Sequence, residues 1–206
     1  MNLFDPAQFI DSLGTLAVFA VAVIIFFETA TIAGSIMPGD SLLFILGLGL
    51  ATSLSAFPLW LALPLLFAAA ATGTQVGYWV GEKTGPRVFR RERAWFFNQN
   101  TVERTREFFQ RYGSRAVILA RFVPVLRAVV PMFAGVGHMQ KRSFLVNNLI
   151  GALTWSVGVT VAGYLLGQVT WVRHNLEAMI IGFVVLSSLP FPIELLRHRL
   201  AVRKKR

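Results

Sequence analysis

Four charged residues lie inside strongly apolar stretches of this chain. Glu28 and Asp40 fall in FFETATIAGSIMPGDSLLF, residues 26–44, and Arg121 and Arg127 in AVILARFVPVLRAVVPMFAGVG, residues 116–137. Two carboxylates and two guanidiniums suit anion binding and proton transfer. Guanidinium engages phosphate through a planar fork, and a carboxylate released from its arginine and partly desolvated takes up a proton more readily. Such a set is able to couple ligand binding to proton uptake. A charged side chain at the bilayer centre costs ~2.5 to 3.5 kcal/mol on insertion scales, so four unpaired ones cost on the order of 10 kcal/mol. They must therefore face one another, water or a ligand. Permanent structural salt bridges would also meet that requirement. Asp40 in PGDSLLF has a further reading as the N-cap of a helix that begins after Gly39, and a helix start near Gly39 to Ser41 offers free N–H groups to an anion.

The elements that position these groups must be broken ones. Glu28 and Asp40 are 12 apart and Arg121 and Arg127 are 6 apart, neither a spacing that shares one helix face. Each pair is more easily gathered across a hairpin, with Pro38 and Gly39 breaking the first element and Pro124 and Pro131 the second. Broken helices at membrane depth are tolerated only where protein or a water-filled cavity surrounds them.

The whole chain fits that setting. Of its 206 residues 55% are hydrophobic and 15% charged, and the apolar blocks are long enough to compare with a bilayer. The expected fold is an all-α polytopic membrane protein. It contains two facing re-entrant hairpins in an inverted repeat, about three transmembrane helices, and interfacial amphipathic helices. One membrane domain accounts for residues 1–206, since no low-complexity linker divides them. Within it we expect a re-entrant hairpin at about 24–50, a span at about 58–81, a cytoplasmic amphipathic region at 83–115, and a second re-entrant hairpin at about 114–137. Spans at about 144–168 and 177–196 and a basic tail at 197–206 follow. The opening MNLFDPAQFIDSLG has no basic n-region, and Asp5-Pro6 reads as the start of a short interfacial helix rather than part of a cleavable signal.

Charge distribution orients the chain. Nine of the twenty Lys and Arg residues fall between Lys83 and Arg115, and six more lie in the tail RHRLAVRKKR, so both segments are expected in the cytoplasm. Two cytoplasmic segments need an even number of crossings between them, yet three apolar blocks intervene. The proline-broken block at 116–137 is the one that turns back. Lys141 and Arg142 then lie inside, with WVRHN an external turn and TSLSAFP outside. The location expected is the bacterial cytoplasmic membrane, with the C-terminus in the cytoplasm.

The two halves also resemble each other. GYWVG at 77–81 recurs as GYLLG at 163–167, an offset of 86 that pairs Pro38 with Pro124, Gly49 with Gly135 and Thr74 with Thr160. If one hairpin enters from outside and the other from inside, the repeat is inverted, and its binding site lies near the midplane where the broken elements meet.

Several functions are disfavoured. Net charge is +10, but the basic residues sit beside apolar blocks without a nucleic-acid motif, so anionic lipid is the simpler partner. There is no cysteine, and His138, His174 and His198 lie at block edges with no H-x-x-x-x-D motif. We expect no metal, no cofactor and no lipid phosphatase or acyltransferase chemistry. Other features read as structural. NTVERTREFFQRYG, with Phe108, Phe109 and Tyr112, fits a membrane-surface helix. RRERAWFF anchors the same border through Arg90, Arg91, Arg93 and Trp95. Tyr78 and Tyr164, flanked by glycines, mark close helix packing, and His138 reads as a solvated interfacial histidine.

Together, FE followed by MPGD, the G-Y-x-x-G-x-x-x-G run ending at Gly85, and ARFVPVLRAVVPMFAG followed by Met139, Phe144, Asn147, Gly151 and Trp155 carry a resemblance. Over about residues 20–170 the chain resembles the DedA family, also described as SNARE-associated Golgi or VTT-domain membrane proteins. The resemblance implies facing re-entrant hairpins. It also implies translocation of polyprenyl phosphate carrier lipid, such as undecaprenyl phosphate, or of phospholipid, dependent on the proton gradient. The family's functional acids fall on Glu28 and Asp40 and its functional arginines on Arg121 and Arg127. Asn147 and Trp155 match the pattern, although an interhelical hydrogen bond and a packed aromatic would account for them. Many members carry an acid four residues before the tyrosine, where this chain has Thr74 and so no carboxylate for a proton path.

The leading expectation is a lipid flippase. Arg121 and Arg127 hold the phosphate head group while the acyl tail stays in the bilayer, and Glu28 and Asp40 carry protons or form ion pairs. Two alternatives are a proton-coupled exporter of small cations or drugs, with the acids as ligands, and a structural protein without transport. A homo-oligomer is compatible with any of them.

Overall fold

The computed structural model describes residues 14–31, 39–52, 57–84, 109 and 111–174. The expected N-terminal interfacial helix, most of the amphipathic region, the span at 177–196 and the basic tail lie outside the described residues. Among those described, the regular structure is entirely helical. In chain order the α-helices are α1 Leu16–Ala30, α2 Gly39–Ala51, α3 Leu59–Thr84, α4 Ala116–Ala120, α5 Pro124–Val136, α6 Lys141–Ala152, α7 Gly158–Gly167 and α8 Thr170–His174. A turn of 3-10 helix, Gly113–Arg115, leads into α4, and a π-helical turn, Leu153–Val157, joins α6 to α7. Of WVRHN, expected as an external turn, Trp171 to His174 are helical, in α8.

Two helices are long and apolar enough to cross a bilayer: Leu59–Lys83, of 25 residues, and Lys141–Gly167, of 27, which runs through α6, the π turn and α7. Asn148 on the second donates to the Ala71 carbonyl on the first, and Lys141 pairs with Glu82 at 2.9 Å. The two long helices therefore run in opposite directions. The remaining apolar helices are shorter. At 15 and 13 residues, α1 and α2 rise only about 20 Å each, less than the roughly 30 Å hydrocarbon thickness.

The helix α1 begins at Leu16, well before the start expected for the first hairpin at about 24. The reason is packing: Ala17, Val18, Val21, Ala22 and Ile25 form one buried stripe against the core shared with α2 and α3. That stripe commits the earlier residues to the same helix. At its other end Thr31 is extended, and its hydroxyl donates to the Phe27 carbonyl at 2.9 Å.

The second break is also local in origin. Arg121, Phe122 and Val123 each donate backwards to the carbonyl three residues earlier, a tightened turn that ends α4. Val123 is extended, as a residue before proline must tend to be. Pro124 then starts α5, where its missing N–H is no loss. Pro131, expected as a second break, lies inside α5 and does not interrupt it. It removes only the N–H that would have reached the Arg127 carbonyl, and the helix tolerates that single missing bond.

The helices meet in a crossed arrangement: α2 packs on α7, and α5 packs on α3. Both contacts are close because small residues line them. A Cβ on Gly47 or Gly163 would overlap backbone across the α2–α7 contact, as would one on Gly81 or Gly135 across the α3–α5 contact. Large apolar side chains face outward instead, including Phe19, Val23, Phe27, Leu145, Val146, Leu149 and Ile150. The buried positions carry polar groups, among them Glu28, Arg121, Arg127 and Asn148. Apolar outside and charged inside is the distribution a lipid solvent selects.

Candidate functional site

Each of the four charged residues stands beside a helix end or break. Glu28 occupies the last turn of α1, and Asp40 the first turn of α2. Because α2 already begins at Gly39, Asp40 sits within the helix rather than capping it as expected, where its charge complements the helix N-terminus. Arg121 stands in the break between α4 and α5, and Arg127 in the first turns of α5.

The two arginines have different partners. Arg127 Nη2 donates to Glu28 Oε1, and its Nη1 donates to Asp40 Oδ1 at 3.1 Å. Both carboxylates, one from α1 and one from α2, thus converge on one guanidinium of α5. Glu28 is completely buried and Arg127 is 4% exposed, so the charges compensate one another where neither could stand alone. Gly39 makes this approach possible, since a Cβ there would collide with the Glu28 carboxylate.

Arg121 is equally buried, at 3% exposed. Its Nη2 donates to Asn148 Oδ1 at 2.6 Å, Thr74 Oγ1 at 2.8 Å and the Ala70 carbonyl at 3.3 Å. All three acceptors are uncharged. Its Nε and Nη1 are buried without a hydrogen-bond partner, and no carboxylate pairs with it among the described residues. The side chain lies over α6 at Gly151, where a Cβ would come within 2.9 Å of Arg121 Cδ.

Trp155 joins the two environments. Its Nε1 donates to Asp40 Oδ1 at 2.6 Å, and its ring centroid lies 4.7 Å from the Arg127 guanidinium carbon and 5.9 Å from that of Arg121. Both distances fall within cation–π range. The π turn places it: Trp155 is the middle residue of Leu153–Val157, and such turns are frequent at functional sites.

Glu28, Asp40 and Arg127 therefore form one cluster, and Arg121 also lies within reach of the Trp155 ring. Asn147, singled out by its match to the family pattern, is not in the site. Its Nδ2 donates to the Ser143 carbonyl of its own helix at 2.7 Å. Asn148 carries the contact instead. Helical spacing held the clue: Phe144, Asn148, Gly151, Ala152 and Trp155 are buried at intervals of one face. Thr74, noted for its place in the repeat and for lacking a carboxylate, contributes its hydroxyl. Tyr78 packs as expected, 4.3 Å from the Phe144 ring, and its hydroxyl donates to the Met139 carbonyl at 2.7 Å. Pro38 lies outside the described residues. Among those described, no group of three His, Cys, Asp or Glu is placed to hold a metal ion.

Comparison with known proteins gives this architecture a family. Residues 37–165 match the model of the VTT domain. The chain is 34% identical over 198 residues to Protein DedA of Escherichia coli (strain K12), covering 96% of this chain and 90% of that one. It is 42% identical over 171 residues to the uncharacterized membrane protein ML0287 of Mycobacterium leprae (strain TN), covering 83% and 76% respectively. Against the inner membrane protein YqjA of Escherichia coli (strain K12) identity is 29% over 152 residues, covering 73% and 67%. No solved structure matches the chain. A VTT domain over most of its length and near full-length similarity to DedA establish that this chain belongs to the DedA family of membrane proteins.

Proposed function

We propose that the protein moves a lipid phosphate, a polyprenyl phosphate or a phospholipid, between the leaflets of the bacterial cytoplasmic membrane. The observation that carries this reading is Arg121, a buried cation whose hydrogen-bond acceptors among the described residues are all uncharged and whose Nε and Nη1 have none there. Burying an uncompensated charge costs several kcal/mol, and an oxyanion from outside the chain would offset that cost. A phosphate head group supplies the charge, and its apolar tail needs no site because the outward faces of the helices are already lipid-like.

In this reading Arg127 joins later. Its Nη1 and Nη2 are held by Asp40 and Glu28 in the present arrangement, and protonation of either carboxylate would free a donor for the phosphate. Ligand capture at Arg121 and proton uptake at the acids are then successive steps. Cation export is less favoured, because both acids that would bind the cation are already engaged by Arg127.

The crossed packing supports an alternating mechanism. The helix after the first break, α2, rests on α7 of the second half, while α5, after the second break, rests on α3 of the first. Under the 86-residue offset these contacts correspond. An inverted repeat, with hairpins entering from opposite sides and the basic segments in the cytoplasm, accounts for that exchange.

The test is purified protein in liposomes containing a short-chain polyprenyl phosphate, read by how much lipid each leaflet exposes. Transport that equilibrates the leaflets, lost in Arg121→Ala protein of normal abundance, is the expected result. Equal rates with wild-type, Arg121→Ala and empty vesicles would eliminate the reading. The absence of native cysteine allows single-cysteine labelling to locate each break relative to the two aqueous faces.

A further inference from the structure

We infer that the Glu28 carboxylate is a stand-in for the transported head group. It fills an oxyanion seat between Arg127 and the first turn of α2, and an incoming phosphate takes that seat by displacing it. For the natural ligand this rests on the lipid-phosphate reading; for the existence of the seat it does not.

Glu28 bridges the two features that would hold an oxyanion. Its Oε1 accepts from Arg127 Nη2, and its Oε2 lies against Gly39, the first residue of α2. The first N–H groups of a helix, here those of Gly39 and Asp40, have no acceptor within it, and with the helix dipole they favour an anion. Glycine leaves the room: a Cβ on Gly39 would overlap both carboxylate oxygens of Glu28. The fit is nonetheless incomplete. Glu28 Oε2 and Arg127 Nε are both buried without a hydrogen-bond partner among the described residues. A carboxylate offers two oxygens in one plane, whereas a phosphate spreads its oxygens tetrahedrally and is able to meet a guanidinium fork and a helix start together. The seat also has an approach, since the Asp40 side chain beside it is 33% exposed and that of Glu28 is 0% exposed.

The exchange preserves the charge balance. A monoanionic phosphate replaces one carboxylate beside Arg127, and the displaced Glu28 stays buried as the neutral acid after taking up one proton. The elements packed on α1 bring two charged groups to it, Asp40 from α2 and Arg127 from α5, while α3 has no charged residue before Glu82. One proton therefore accompanies each phosphate that enters the seat.

Glu28→Gln and Asp40→Asn are the informative pair. Each removes one negative charge beside Arg127, but only the first neutralises the occupant of the seat. The full-length protein in nanodiscs is titrated with inorganic phosphate and a short-chain polyprenyl phosphate at one pH, and with sulfate, whose charge is constant near neutrality, at several. Glu28→Gln should bind inorganic phosphate about tenfold more tightly than wild type, and Asp40→Asn should differ from it by less than about threefold. Adding Gly39→Ala to Glu28→Gln should abolish the gain, because the methyl group fills the seat. Sulfate should bind wild type and Asp40→Asn more tightly as pH falls, and Glu28→Gln equally at every pH.

Glu28→Gln binding inorganic phosphate no more tightly than wild type would overturn the inference and leave the lipid reading intact. An equal gain in Asp40→Asn, or a gain that survives Gly39→Ala, would overturn it too, by showing an effect of charge without a seat. Should Glu28→Gln fail to fold, wild-type sulfate affinity that is independent of pH overturns it. A tenfold gain for inorganic phosphate with no further gain from the prenyl chain would uphold the inference and remove the lipid reading.

Discussion

Arg121 and Arg127 are six residues apart, carry the same group and are buried to the same degree, yet their surroundings are opposite. Arg127 meets two carboxylates, one from α1 and one from α2, whereas Arg121 meets a hydroxyl, an amide and a backbone carbonyl. The difference shows that burial alone does not say what an intramembrane charge is for. A cation matched by acids of its own chain holds elements together. One matched only by neutral dipoles is held in place and left electrically incomplete.

The sharpest way to break that contrast is to delete each guanidinium. Arg127→Ala strands Glu28 and Asp40 together, and stability should fall by about 3–5 kcal/mol, seen as lower abundance and melting temperature. Arg121→Ala removes a charge that lacks a counter-ion, so it should unfold no more readily than wild type while losing transport. Equal destabilisation by the two would erase the distinction. Glu28→Gln comes next: it leaves Arg127 with Asp40 alone as a charged partner and should cost about 2 kcal/mol in thermal unfolding. Trp155→Phe keeps an aromatic ring near both guanidiniums and loses the hydrogen bond to Asp40. We expect about 1.5 kcal/mol of destabilisation, with transport slowed rather than abolished. The smallest effect lies away from both arginines. His138 is exposed and adopts φ 50°, a conformation that favours glycine. His138→Gly should raise stability by up to about 1 kcal/mol and leave transport unchanged.

Much of the site is legible in the amino-acid sequence because a charge inside an apolar block is conspicuous. Glu28, Asp40, Arg121 and Arg127 stand out on that ground alone, and a proline-led break near 121–124 follows from the restriction that Pro124 places on Val123. The partners are not legible there. Which acid meets which arginine depends on the rotation of four helices about their axes, and nothing in the spacing 12 or 6 encodes it. Asn147 and Asn148 are adjacent, and only the buried face defined by Phe144, Gly151 and Trp155 tells them apart. Pro131 misleads for a simpler reason, since even the 13-residue α5 survives the loss of one hydrogen bond. The early start of α1 is hidden because apolar residues face both the core and the lipid there, leaving little periodic contrast to mark its packed side.

The π turn at Leu153–Val157 acts as a phase shifter between two jobs performed by one continuous span. Upstream of it Phe144, Asn148 and Gly151 address the arginine segment and α3; downstream Thr160, Gly163 and Gly167 lie against α2. In a regular helix each residue advances the azimuth by about 100°, so excising a single position here would swing one half of the rod relative to the other. An indel of one codon would thus uncouple the arginine pocket from α2 with no change to any charged side chain.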